Sequence, residues 1–144
     1  MLGAAAPAPA FLWFDARRRA VAGEILGHPP RGARVRYWRA GARTAFVLDE
    51  VAHTHPITAG FAVERGRLVA ARVLTYRESR GWEVQRPQFL AQFLDRGLDA
   101  GRALDGPIDG ITGATLSVGA LTRMARLALY LAAELDAEAA RDGR

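Results

Sequence analysis

"ARVRYWRAGARTAFVLDEV", residues 33 to 51, decides the fold. β-branched and aromatic residues flank the small turn Ala40-Gly41-Ala42, so the stretch reads as two strands, Ala33 to Arg39 and Arg43 to Val51, joined as a hairpin. After "HTHP" the pattern repeats: Ile57 to Glu64 and Arg67 to Tyr76 form two more strands around Arg65-Gly66, and the period of two puts Leu68, Ala70, Leu74 and Tyr76 on one face. Four strands in succession imply an antiparallel sheet.

Helical signals surround this block. Asp15 is placed to cap a helix running to about Gly27, with Val21, Ile25 and Leu26 on one side, before "GHPPRG" breaks it. "RPQFLAQFLDRGL" reads as a helix carrying Phe89, Leu90 and Phe93 and ended by Gly97. From Leu116 onward, Leu121, Met124, Ala128, Leu131 and Leu135 recur at three- and four-residue steps, a single apolar stripe with Arg123, Arg126 and Glu134 elsewhere. The predicted fold is α+β: one domain, with helices packed on a largely antiparallel sheet. No internal repeat or dividing linker interrupts it.

Composition agrees with a folded chain. At 144 residues, half of them hydrophobic, the chain can bury one core. Its 20 basic residues are all Arg and the net charge is +5. An Arg-rich face suits phosphate neutralisation, but these arginines are scattered, with only Arg17, Arg18 and Arg19 contiguous, and no nucleic-acid module accompanies them. A nucleic-acid partner is not expected. With no Cys, disulfides, thiolate nucleophiles and Cys-based metal sites are excluded. No stretch reads as the roughly 18 to 20 apolar residues that span a bilayer. The start, "MLGAAAPAPAFLWFDARRR", has no basic segment ahead of its apolar patch. It reads either as a cytoplasmic start or, preferably, as a processed chain whose mature end begins near Ala4 to Ala10.

His53 and His55 would point the same way on a continuous strand, yet no third ligand stands at a metal-site spacing, so a surface loop pair is the favoured reading. His28, beside two prolines, is a loop residue. No G-x-S-x-G elbow supports a Ser/His/Asp hydrolase, and no glycine-rich nucleotide loop of either standard kind occurs.

The remaining feature is "IDGITGATLSV", residues 108 to 118, directly before the last helix. One side-chain oxygen is enough to cap a helix, so Asp109, Thr112 and Thr115 are a surplus. Gly113 allows close approach to the backbone, and the free N–H groups of the helix start attract an anion such as a phosphate. Were that phosphate esterified to a threonine, the site would need an exposed Thr, small neighbours and a nearby carboxylate. Thr115, Gly113, Ala114 and Asp109 meet that description.

Here "DGITGAT", residues 109 to 115, resembles the flavinylation motif of the FMN-binding domain family, seen in flavin-carrying subunits of the sodium-translocating NADH:quinone reductase and of the Rnf complex. Upstream, "GRLVAARVLTYRESRG" (66 to 81) resembles the family's strand and its Glu-Thr-Pro-Gly-like turn, with Ser79 and Arg80 where Thr and Pro are common. "FLAQF" (89 to 93) resembles the aromatic-Gln-aromatic stretch that follows. The resemblance covers roughly residues 57 to 131, so residues 1 to 32 read as an N-terminal segment with a helix, and 33 to 144 as the FMN-binding domain.

The resemblance implies FMN joined through its phosphate to Thr115 by a separate Mg-dependent flavin transferase that uses FAD. It also implies a cofactor site built from Asp109, Gly110, Ile111, Thr112, Gly113, Ala114, Leu116 and Ser117. Thr112 is then free to cap the helix. Tyr76 and Trp82, near the turn, are candidates to flank the isoalloxazine, and Arg77 or Glu78 to bond its polar edge; core packing accounts equally well for the two aromatics. The implied role is an electron carrier between redox partner proteins, more a relay than a stand-alone catalyst. A flavin-dependent reductase acting on a small substrate is the alternative, and a basic binder of anionic surfaces a third. Because the family's transferase commonly acts outside the cytoplasm, the resemblance also implies an exported, periplasmic bacterial protein.

Overall fold

The computed structural model describes residues 7–143; most of the Ala/Pro run at the start lies outside them. The two hairpins form where alternation and turn chemistry coincide. Strands β2 (Arg34–Ala40) and β3 (Arg43–Val51) meet across Ala40↔Arg43, and β4 (Pro56–Glu64) pairs with β5 (Arg67–Thr75) from Glu64↔Arg67. Gly41 turns with φ +61°, while Arg65 and Gly66 both take positive φ, 51° and 78°. Both turns are thus of the mirror-image kind that suits the twist of paired strands.

Ahead of them, β1 (Ala10–Trp13) pairs antiparallel with β2, an edge strand that the Ala/Pro-rich start conceals. The sheet order is β1-β2-β3-β4-β5, every neighbour antiparallel. Ile57, Ala59, Phe61 and Val63 of β4 point into the core opposite Phe46 and Leu48 of β3.

On β5 the expected face does not hold. Pairing with β4 shifts between Ala62 and Val63 and again between Thr58 and Ala59. Each bulge inserts one extra residue and flips the alternation. Leu68, Ala71, Val73 and Tyr76 therefore meet the core, and Leu74 is 51% exposed. The strict period of two that grouped Ala70 and Leu74 with Leu68 is broken at both bulges.

One face of the sheet carries the helices. The helix α1 (Ala16–Leu26) starts where the Asp15 carboxylate accepts the Arg18 N–H at 2.8 Å, and ends at Gly27 with φ +80°. Ala22, Ile25 and Leu26 are buried, and the nearly buried Arg18 pairs with Glu134 at 2.9 Å and with Glu138.

The stretch expected to form one helix through Gly97 is broken up. A 3₁₀ turn (Trp82–Gln85), the short helix α2 (Pro87–Leu90) and another 3₁₀ turn (Ala91–Phe93) follow one another. Asp95 then takes φ +65°, and Asp95 N–H and Arg96 C=O bond Leu68 instead of continuing a helix. Phe89, Leu90 and Phe93 are buried as expected.

The last helix, α3 (Thr115–Arg141), lays Ala120, Leu121, Met124, Ala128, Leu131 and Leu135 into the core. Contrary to the sequence expectation, α3 is long and apolar enough to cross a bilayer by length and composition. Its apolar window has mean hydropathy 1.2, and 61% of that window is buried against the domain's own sheet and α1.

Candidate functional site

The segment before α3 is held from outside. The Gln92 side chain accepts Asp109 N–H at 2.7 Å and donates to Asp109 C=O at 3.3 Å, a two-way clamp on one residue. Ala114 N–H then closes a tight turn on Ile111 C=O, with Gly113 at φ +83°. The helix ladder begins with Val118 N–H to Ala114 C=O at 2.9 Å.

Ala114 stands at the cap position, and no side chain caps the helix. The expectation that Thr112 would do so is not met; the cap residue is one that has no acceptor to offer. The N–H groups of Thr115, Leu116 and Ser117 precede the ladder and keep their donors.

A second knot fixes the helix start to the turn after β5. The Tyr76 hydroxyl donates to Arg80 C=O, which leaves its oxygen to accept from the Ser117 hydroxyl at 2.8 Å. Gly81, at φ +82°, lies so near that a Cβ there would come within 2.6 Å of Tyr76 Oη and 2.9 Å of Ser117 Oγ. Ser117 and Ala114 are buried, while Thr115 and Leu116 are exposed.

These contacts bound a cleft of about 340 Å³, lined by His53, Glu78 to Arg80 and Gly113 to Ser117. It falls within the roughly 300–1,000 Å³ range of small-molecule sites. Glu78 is the carboxylate in it. His55 N–H, Thr54 N–H and the Thr54 hydroxyl bond that carboxylate, which holds its pKa down to about 2. Its charge is spent on the loop before β4.

The sequence-predicted residues divide. Thr115, Gly113, Ala114, Leu116, Ser117 and Glu78 come together in this cleft. Asp109, Gly110 and Ile111 line a neighbouring groove with Gln92, Glu83 and Arg86. Thr112 is exposed on the turn between the two. Arg77 is drawn back to Pro56 C=O at 2.7 Å and the Thr58 hydroxyl at 3.0 Å. Tyr76 belongs to the hydrogen-bonded knot behind the cleft, and Trp82 is half exposed beneath the Arg86 guanidinium. None of these three lines the cleft.

Sequence reasoning missed His53, Ser79, Arg80 and Gln92. Gln92 stood in a stretch already singled out, and Ser79 and Arg80 were noticed only as departures from a turn pattern. No group of three or more His, Asp or Glu able to hold a metal occurs among the described residues.

An anionic ester fits this place. Three unpaired amides, the exposed Thr115 hydroxyl, open space beside Gly113 and the nearby Arg80 suit a phosphate. No curated protein matches the chain. The family model for the FMN-binding domain matches residues 53–130, more than half of the chain, from the His53 loop through most of α3. The chain is a flavin-binding protein and belongs to the FMN-binding domain family.

Proposed function

We propose that this domain is an electron carrier whose FMN is esterified through its phosphate to Thr115. The observation that carries this reading is the exposed Thr115 at an uncapped helix start, inside the cleft that the Glu78–Arg80 turn completes. The amides of Thr115, Leu116 and Ser117 hold the phosphate, with Arg80 adding positive charge. Gln92 and the Tyr76–Ser117 knot fix the two ends of the motif. Bound flavin supplies the redox chemistry, and the protein supplies attachment and orientation.

A separate flavin transferase, using FAD and Mg, makes the ester, and redox partner proteins load and unload the electrons. The relay is favoured over a reductase because the cleft is bounded by exposed residues, Ser79, Arg80, Thr115 and Leu116, and so opens on the surface. The family's habit of flavinylation outside the cytoplasm supports a periplasmic setting.

Peptide mass spectrometry after co-expression with a flavin transferase tests the reading. FMN minus water is expected on the peptide containing Thr115 and absent from Thr115→Ala. Covalent flavin persisting in Thr115→Ala, or an unmodified wild-type peptide beside an active transferase, would overturn it.

A further inference from the structure

A larger cleft, about 620 Å³, lies on the other side of the sheet from β5, where β2 and β3 part. Their pairing ends at Tyr37↔Phe46; nearer its start, β2 pairs only with β1. In an antiparallel pair, main-chain groups alternate between the two neighbours. Counting by two from the hairpin-closing pair Ala40↔Arg43, Arg36 C=O still takes the Val47 N–H beside that last pair, and beyond it the N–H and C=O groups of Arg34 face those of Asp49 across the opening. From there the two strands diverge, and the end of β3 keeps a free edge inside the sheet.

The walls differ in character. Towards the helices the cleft is floored by Leu26, Leu48 and Leu127. Towards solvent stand Arg31, Arg34 and Arg36, none of which makes an ion pair among the described residues. Arg34 rests on the Phe11 ring at 3.8 Å and near Trp13 at 5.4 Å, and Arg36 lies 5.6 Å from Trp38. Stacking holds these guanidinium groups in place with donors to spare.

The cleft's own acids are engaged. Glu50 is paired with Arg123 at 2.8 Å and His28 at 2.9 Å, and Asp49 accepts the Thr58 hydroxyl. Against Arg31, Arg34 and Arg36 that leaves Asp49 as the one carboxylate of the cleft without an ion pair among the described residues, so the surplus charge is positive.

We infer that this split in the sheet is a docking site for an extended acidic segment of a partner protein, in which apolar side chains alternate with Asp or Glu. Laid as a strand into the opening, such a segment pairs with the Asp49 edge of β3, sends its apolar side chains to the leucine floor and its carboxylates to the arginines. The site is separate from the flavin cleft and does not depend on how flavin is attached.

The test is amide hydrogen exchange by NMR on the full chain, titrated with a capped heptapeptide alternating Val and Glu. The Asp49 amide should exchange fast in the free protein and become protected as peptide is added. The same peptide with Lys for Glu should give no protection, and the Arg34→Gln, Arg36→Gln double variant should weaken binding about tenfold. Four results would each overturn the inference: protection already complete in the free protein, meaning that β2 closes on β3; protection rising with protein concentration alone, meaning a second copy; equal protection by the Lys peptide; or no peptide binding while anionic phosphatidylglycerol vesicles bind.

Discussion

Gly81 shows how much of the site rests on single atoms. With φ at +82° and two hydroxyl oxygens inside 3 Å of where a Cβ would stand, the position tolerates no side chain. Gly81→Ala should lower stability by about 2 kcal/mol, combining left-handed strain with displacement of Tyr76 or Ser117, and a urea titration measures it. Tyr76 illustrates what sequence could and could not reveal. Its place beside the turn was legible, but flavin contact and core packing stood level as its role, because nothing in the order of residues says that its hydroxyl closes on Ser117, 41 positions away. That Thr115 stands at a helix start was legible from local chemistry alone, two residues after Gly113 and directly before the apolar stripe. Thr112 was misread for the same local reason: capping depends on backbone angles, and the chain enters α3 two residues too late for that hydroxyl to serve.

The elements follow the sequence where their signals are local and depart from it where tertiary pairing intervenes. Both hairpins, α1 with its Asp15 and Gly27 ends, and the apolar stripe of α3 are written in short-range patterns. The β5 bulges are not, since an extra residue is defined only against the partner strand. Likewise "RPQFLAQFLDRGL" has helical spacing, yet Asp95 and Arg96 find better hydrogen bonds on Leu68. The turn between β4 and β5 leaves room for improvement: Arg65 sits at φ 51° in a position that prefers Asn. Arg65→Asn should raise stability by about 0.5 kcal/mol, since only an exposed contact with Glu64 is lost. The thermal midpoint of the variant checks it; a fall would mean that the Arg65–Glu64 contact outweighs the strain.

Across the whole molecule, acid should be the condition that undoes the fold. Glu78, bonded first by His55 N–H, titrates low at about 2; Gly97 N–H and Arg67 lower Asp105, and Arg17 and Arg18 lower Glu134. Each carboxylate is easier to protonate unfolded than folded, so stability is full above the ordinary Glu value of 4.5 and is lost as pH falls towards 2. Urea midpoints should decline across that window, and Glu78→Gln, weaker at neutral pH, should converge with wild type at about pH 2. The order of elements carries a different kind of consequence. β1 to β5 run in sequence as a meander, so a growing chain can pair each strand with the one made just before it. The sheet's apolar face still stays open until α3 arrives, and α3 is the last element made. Thr115 is therefore synthesised before the helix behind it exists, and its cleft appears only when residues as late as Leu135 have left the ribosome and packed. On the proposed flavinylation of Thr115, the transferase would therefore meet a finished domain, and a chain truncated within α3 should not be flavinylated, which mass spectrometry of the truncated chain checks.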